Sequence, residues 1–166
     1  TSSGRLILLG GPTGVGKTTA LRNLQDRIPG TALLDADDVW RVSADIATAD
    51  NRAIAIGNVV SVMRGYFAAG CRTGILSWVF ARSLLYQPVL DGLQDLVART
   101  QMLYLTCSRD SLEARLRQRG EPEKLAYALT RLDLIQDLPF PKLDTTNLDP
   151  NDVAEQIIRI LDLREE

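Results

Sequence analysis

The stretch Gly10-Gly11-Pro12-Thr13-Gly14-Val15-Gly16-Lys17-Thr18-Thr19 constrains the fold of this chain more than any other. Within it, Gly11-x-x-x-x-Gly16-Lys17-Thr18 has the G-x-x-x-x-G-K-[ST] form of a phosphate-binding loop. The glycines admit positive φ and leave room for oxygen atoms beside the backbone. Successive N–H groups can then point inward and cradle a β-phosphate. Lys17 would neutralise the β- and γ-phosphates, its ammonium open to solvent until phosphate arrives. The Thr18 hydroxyl would ligate Mg²⁺. A helix opening at Lys17 would aim its N-terminal dipole at the anion. The flanks agree. Arg5-Leu6-Ile7-Leu8-Leu9 reads as a strand buried on both faces, and Ala20, Leu21, Leu24 and Ile28 follow at helical spacing.

The same alternation continues along the chain. Strands are predicted near 5–10, 32–36, 73–79, 101–106 and 142–145. Helices are predicted near 17–28, 38–47, 51–69, 82–98, 109–120, 123–137 and 150–163. Strands alternating with helices imply parallel pairing through right-handed crossovers. The predicted fold is a three-layer α/β/α sandwich around a five-stranded parallel sheet, with ligands at the carboxyl ends of the strands. The last helix carries Asp149 as N-cap, Pro150 at its first position, and a stripe of Val153, Ile157, Ile160 and Leu161. The helix over 51–69 presents Ile54, Val59, Val62, Met63 and Phe67 near one face.

Composition narrows the function. The 166 residues suit a single domain, 1–166, and a net charge of −2 gives no basic surface for nucleic acid. No run of about 18 apolar residues marks a membrane span. Thr1-Ser2-Ser3-Gly4 is no signal peptide, and the missing initiator Met points to a trimmed chain or a fragment. Cys71 and Cys107 lie in no metal-ligand spacing and read as reduced thiols of a cytoplasmic protein, a monomer or homodimer. Histidine is absent, so proton transfer at neutral pH falls to a carboxylate, Lys or Tyr.

Three further stretches carry chemistry. The second strand runs into Asp35-Ala36-Asp37-Asp38, which places carboxylates beside the loop. Strand alternation would send Asp35 and Asp37 to one side, one to hold Mg²⁺ through water and one to accept a proton from a hydroxyl. The competing reading is a helix cap from Asp37 or Asp38. Arg115 and Arg119 share a helix face, and a guanidinium can stack on adenine or clamp a transferring phosphate; the competing reading is a solvated face. Thr145 to Asn147 offer polar groups to an adenine edge. Trp78 and Phe80 suggest an apolar or ring-shaped acceptor pocket, or simply core aromatics at a strand end.

Taken in order, Gly11-to-Thr18, Asp35-x-Asp37, Leu105-Thr-Cys-Ser with Glu113-Ala-Arg115-Leu-Arg-Gln-Arg119, and Leu143-Asp-Thr-Thr with Asp149-Pro150 resemble the small P-loop kinases. These include shikimate kinase, gluconate kinase, adenylylsulfate kinase, chloramphenicol phosphotransferase and the nucleoside monophosphate kinases. The resemblance implies a P-loop NTPase fold of the nucleotide-kinase type with ATP and Mg²⁺ as cofactors. It implies phosphate binding by Gly11, Thr13, Gly14, Val15, Gly16, Lys17, Thr18 and Thr19, and Mg²⁺ positions at Thr18 and Asp35. Asp37 looks like the acceptor-side base, Arg115 like the adenine-stacking arginine and Arg119 like the lid arginine at the γ-phosphate. Thr146 falls on the base side; Arg82 and Arg131 fall on the acceptor side. The departures lie after the third strand. Leu76-Ser77-Trp78-Val79-Phe80-Ala81-Arg82 has neither the glycine triplet of shikimate kinases nor the Asp-Gly-Phe-Pro-Arg of adenylate kinases, of which only Arg82 remains. That strand carries no Asp, and without histidine there is no His-Phe lid motif.

The expected activity is transfer of the γ-phosphate of Mg-ATP to a hydroxyl of a small metabolite or antibiotic-like molecule. Catalysis would rest on Lys17, Asp37, Arg115 and Arg119, with a lid near 117–126 and acceptor-binding helices near 38–70. A nucleoside or nucleotide kinase is the alternative enzyme, since Arg41, Arg64, Arg82 and Arg131 could converge on an acceptor phosphate. An ATP-binding module without transfer is the alternative outside enzymes.

Overall fold

The structure, a computed structural model, describes residues 3–41 and 49–164. Its centre is the strand β1 (Gly4–Gly10), buried along its whole length. Parallel partners lie on both sides: β3 (Thr73–Ser77) on one, β4 (Val97–Thr106) on the other. The outer strands are β2 (Thr31–Asp35) beside β3 and β5 (Lys142–Asp144) beside β4, giving the order β2-β3-β1-β4-β5. An apolar strand with no polar face can sit only in such a central position.

Helices cover both faces. Ile7 and Leu9 join Ile75, Leu103 and Leu105 under α1 (Lys17–Gln25), α4 (Arg109–Gln118) and α6 (Pro150–Leu161). Leu6 and Leu8, which alternation sends the other way, join Leu76 and Tyr104 under α2 (Ala49–Ala68) and α3 (Ser83–Leu93). The helix α5 (Leu125–Gln136) reaches both cores, with Leu132 in the first and Ile135 in the second.

The predicted five-stranded parallel sandwich is the fold observed. Several boundaries differ, each for a local reason. β4 begins at Val97, inside the stretch predicted as helix to residue 98. Its opening residues Ala98-Arg99-Thr100 are exposed, so they carry no apolar strand signal. The helix predicted over 38–47 is not formed where described: Ala36–Asp38 is a single 3₁₀ turn and Val39 to Arg41 are not helical. The rest of that stretch lies outside the described residues. In α2 the inward row is Ala55, Val59 and Met63, while Ile54 is 48% exposed. In α6 the row is Val153, Ile157 and Leu161 with Ile158, and Ile160 faces out. At 3.6 residues per turn the buried set, which includes Ala154 and Ile158, centres to one side of the stripe, and Ile160 falls at its opposite edge. Asp149 caps α6 as expected, accepting from Asp152 N at 2.9 Å, with Pro150 at the first position.

The end of the sheet opposite the glycine loop is closed by a buried arginine. Arg5 donates through Nε to Gln101 Oε1 at 2.8 Å and through its guanidinium to the carbonyls of Leu161 and Asp162 at the end of α6. A cation suits a helix C-terminus, where unpaired carbonyls gather. Arg5→Met is expected to lower stability by roughly 2–4 kcal/mol, because buried carbonyls lose a charged donor. Urea denaturation checks this.

Candidate active site

At the carboxyl ends of β1 and β2 lies a cavity of about 590 Å³, within the range of small-ligand sites. The loop residues Thr13 to Lys17 form one wall. Gly14 has φ 86 and Gly16 φ 111, values that favour glycine. A Cβ on Gly14 would also meet Leu116 of α4 at 2.7 Å, so this position requires glycine on two counts. Gly16 occupies the N-cap of α1 and supplies no side-chain cap. The first-turn N–H groups of α1 therefore have no side-chain acceptor at the cap, the arrangement that suits an anion.

Lys17 does not extend into solvent as its sequence suggested. Its Nζ donates back to the carbonyls of Gly11 at 2.7 Å and Pro12 at 3.0 Å. Burial pushes its pKa down to about 8; the carboxylates of Asp37 and Asp35 oppose that shift, and the charge of Arg119 adds to it. The side chain is folded across the loop whose ligand it would neutralise.

The carboxylates reach the cavity by a route that strand alternation does not describe. β2 ends at Asp35, which caps the 3₁₀ turn by accepting from Asp37 N at 3.1 Å. Its other oxygen accepts from Thr18 Oγ1 at 2.8 Å. The turn, not the strand, carries Asp37 to the same cavity. Asp37 has its pKa raised, by burial first and then by Asp35, against the opposing charge of Lys17. The Trp40 indole N–H lies against Asp37 and favours its charged form without completing a hydrogen bond of ordinary geometry. Asp38, the other capping candidate, is exposed and pairs with Arg41 at 3.6 Å.

The opposite wall comes from α4 and the turn before α6. Arg115 Nη1 donates to Val15 O at 3.1 Å and to Thr145 Oγ1 at 2.8 Å, and Nη2 donates to Thr145 O at 2.7 Å. One guanidinium thus ties the glycine loop to the β5–α6 turn. Arg119 closes α4, lines the cavity and lies 3.3 Å from Glu121. Thr145, Leu148 and Val153 complete this wall.

Thr13, Gly14, Val15, Gly16, Lys17, Thr18, Thr19, Asp35, Asp37, Arg115 and Arg119 all line this cavity. Four expected residues do not. Gly11 is buried below the loop, its N–H held by Val79 O at 3.3 Å. Thr146 Oγ1 donates to Asp144 Oδ1 at 2.6 Å and accepts from Ser108 N at 2.8 Å, so Thr145, not Thr146, faces the cavity. Arg82 is exposed at the start of α3, and Arg131 stacks over the Tyr127 ring at 3.8 Å. Trp78 and Phe80 are core aromatics, in an edge-to-face pair with centroids 5.8 Å apart. The sequence reading missed Leu148 and treated Val153 only as core, because only the approach of α6 to α1 brings them to the cavity.

A family profile described as "AAA domain" matches residues 7–131. The chain belongs to this family. A sequence comparison with curated proteins finds no significant match. Among solved structures the chain is similar to the tunicamycin resistance protein of Deinococcus radiodurans, at 22% identity and TM-score 0.71 over 96% of each chain. It is similar to a sugar kinase from Janibacter, at 18% identity and TM-score 0.70 over 97% of this chain and 95% of that one. It is also similar to a gluconokinase from Sinorhizobium meliloti 1021, at 12% identity and TM-score 0.66 over the whole of both chains. At these identities the likeness establishes the fold, that of the small P-loop kinases within the P-loop NTPases. No helix among the described residues is long and apolar enough to cross a membrane.

In the free loop Lys17 is about half neutral at pH 8. A bound phosphate favours the ammonium, so ADP binding at pH 8 is expected to take up a proton and to weaken as pH rises further. Calorimetry in buffers of different ionisation heat measures the uptake, which should vanish near pH 6 and in Lys17→Met. Arg115→Ala is expected to lower stability by about 1.5–3 kcal/mol, from loss of a charged donor to two partly buried carbonyls. Chemical denaturation of the ligand-free protein checks that value.

Proposed function

We propose that the protein is an ATP-dependent phosphotransferase acting on the hydroxyl of a small molecule. The observation that carries this reading is the convergence of Lys17, Thr18 with Asp35, Asp37 and Arg119 on one cavity. Thr18 Oγ1 and the Asp35 carboxylate, 2.8 Å apart, are a hard oxygen pair that fits Mg²⁺, which commonly takes one or two protein ligands and completes its shell with phosphate and water. When bound, the cation supplies charge neutralisation at the phosphates.

The chain's own groups then divide the work. The loop N–H groups and Lys17 orient the phosphates, the ammonium leaving the Gly11 and Pro12 carbonyls for the ligand. Asp37, with its raised pKa, accepts the proton of the attacking hydroxyl. Arg115 has its donor edge committed to Val15 and Thr145, so its planar face is what it offers to adenine, beside Leu148 and Val153. Arg119 exchanges Glu121 for the γ-phosphate. The segment 117–126, with Gly120 at φ 73 and a 3₁₀ turn at Pro122–Lys124, acts as the lid.

The arginines offered to an acceptor phosphate, Arg41, Arg64, Arg82 and Arg131, do not converge on the cavity, where Arg22 is the one further arginine among the described residues; this favours an acceptor without a phosphate of its own. Arg41 pairs with Asp38, Arg64 holds Asp95 through two bonds, Arg131 stacks on Tyr127, and none of these, nor Arg82, lines the cavity. The likeness to a sugar kinase and a gluconokinase makes sugar-like alcohols the first acceptors to try, followed by hydroxylated antibiotics and nucleosides.

A coupled ADP-release screen over those three classes tests the reading; release with no acceptor in any class would reduce the protein to a nucleotide-binding module. With an acceptor in hand, Asp37→Asn is expected to lower kcat by roughly 10²–10⁴-fold while sparing ATP affinity. The wild-type rate should fall in acid at a pH above the ordinary carboxylate range, because protonated Asp37 is no base. Arg119→Ala is expected to spare ADP binding and depress single-turnover rates, and Arg119→Lys to restore them only in part, since a point charge lacks the planar fork.

A further inference from the structure

Three side-chain polar atoms among the described residues are enclosed without a hydrogen-bond partner: Trp40 Nε1, Ser77 Oγ and Glu121 Oε2. Ser77 ends β3 inside the core, and Trp40 lies against Asp37. Glu121 stands just past the end of α4, and its unpaired oxygen has a cation beside it. Arg119 Nη2 lies 3.3 Å from Oε2 without the alignment of a hydrogen bond. The other oxygen, Oε1, accepts from Lys124 Nζ at 2.9 Å. One carboxylate thus serves two cations, one aligned with it and one not.

The backbone puts the carboxylate there. Gly120 has φ 73, and Glu121 N donates to Leu116 O at 2.9 Å, so α4 closes on a left-handed residue. Lys124 N donates to Glu121 O at 3.1 Å and fixes the turn that follows. Arg119 is the last residue before this hinge, and it faces two ways. It lines the cavity, where Lys17 feels its charge, and its ion-pair partner is Glu121. A carboxylate and a phosphate ask the same thing of a guanidinium, a pair of charged acceptor oxygens. The two anions therefore compete for one side chain.

We propose that Glu121 is a positioning residue that competes with the γ-phosphate for Arg119, and so sets the affinity for nucleoside triphosphate relative to diphosphate. This rests on the phosphotransferase reading, in which Arg119 meets the γ-phosphate. Lys124 keeps the carboxylate paired when Arg119 leaves, so the exchange strands no charge. Once the γ-phosphate has passed to the acceptor, Arg119 returns to Glu121 and no longer joins the lid to the nucleotide, which favours release of the diphosphate. The competition is modest in size. The Arg119 side chain is 53% exposed, and an ion pair so open to water is weak and screened by salt.

The test is calorimetric binding of ADP and of β,γ-imido-ATP, each with Mg²⁺, to the unmodified protein, Glu121→Gln and Glu123→Gln. The last removes a neighbouring exposed carboxylate and controls for charge alone. Glu121→Gln is expected to leave ADP affinity unchanged and to tighten the triphosphate analogue about two- to fivefold. Glu123→Gln is expected to leave the ratio of the two affinities where it was. In an Arg119→Ala background the Glu121 substitution is expected to have no effect. Glu121→Asp, one methylene shorter on the Arg119 side, carries the test with a smaller gain if the glutamine variant does not fold. An unchanged ratio, an equal gain for both nucleotides, a like gain from Glu123→Gln, or a gain that survives Arg119→Ala overturns the role of Glu121 and leaves the phosphotransferase reading standing. Binding of neither nucleotide by the unmodified protein overturns both.

Discussion

The glycine loop between Gly10 and Lys17 has no regular secondary structure, and its shape is imposed by what surrounds it. Gly11 N donates to Val79 O, and Trp78 N donates to Leu9 O, so the loop leaves β1 bound to the end of β3. Gly10 lies so close to the Tyr104 ring that a Cβ would stand 2.3 Å from it. Arg115 holds Val15 O from α4. With its base fixed from two strands and its tip from a helix, the loop has its amides arranged by the fold itself, which is what positioning requires.

Charge in the cavity is balanced with few partners. Lys17 rests on two carbonyls, not on a carboxylate, and burial holds its proton loosely. The carboxylates of Asp35 and Asp37 counter that burial and in turn feel each other, which raises Asp37. Lys17 and Asp37, each shifted away from its charged form by burial, would be better satisfied with an anion and a cation added between them. The fold stabilises this arrangement elsewhere, through two apolar cores and the Arg5 closure at the far end of the sheet. Separation of a well-packed foundation from an under-satisfied site is the usual division in α/β proteins that bind at strand ends.

Fold and chemistry stand apart in this molecule. Neighbours of very different name share the fold at low identity, so function must be read from side chains and not from the fold. Here the chain is individual. The segment after β3 turns Trp78 and Phe80 into the core and leaves Phe80 at φ 43, with its carbonyl held by the Tyr104 hydroxyl at 2.7 Å. A bulky residue in that conformation is strained and persists only because the surroundings hold it.

The order of strands and helices, the position of the phosphate loop and the cap of the last helix were legible in the sequence, because each depends on neighbours within a turn or a strand. Gly16 must be at the start of α1, and Asp149 caps α6, whatever the rest of the chain does. What depends on contacts between distant segments was not legible. No local pattern says that Lys17 folds back, that Asp35 ends its strand and passes Asp37 to the cavity by a turn, or that Thr145 and not Thr146 meets Arg115. Arg82 and Arg131 were legible as basic residues but not as residues that stand off the cavity, since helix orientation is set by packing against the sheet. Ser77 shows the limit most plainly. In the sequence it is one small residue in an apolar run; only the register of three strands sets it level with Leu9 and Asp35, with its hydroxyl unpaired. Residue type and spacing determined which groups were available, and the packing of helices on the sheet decided which of them meet.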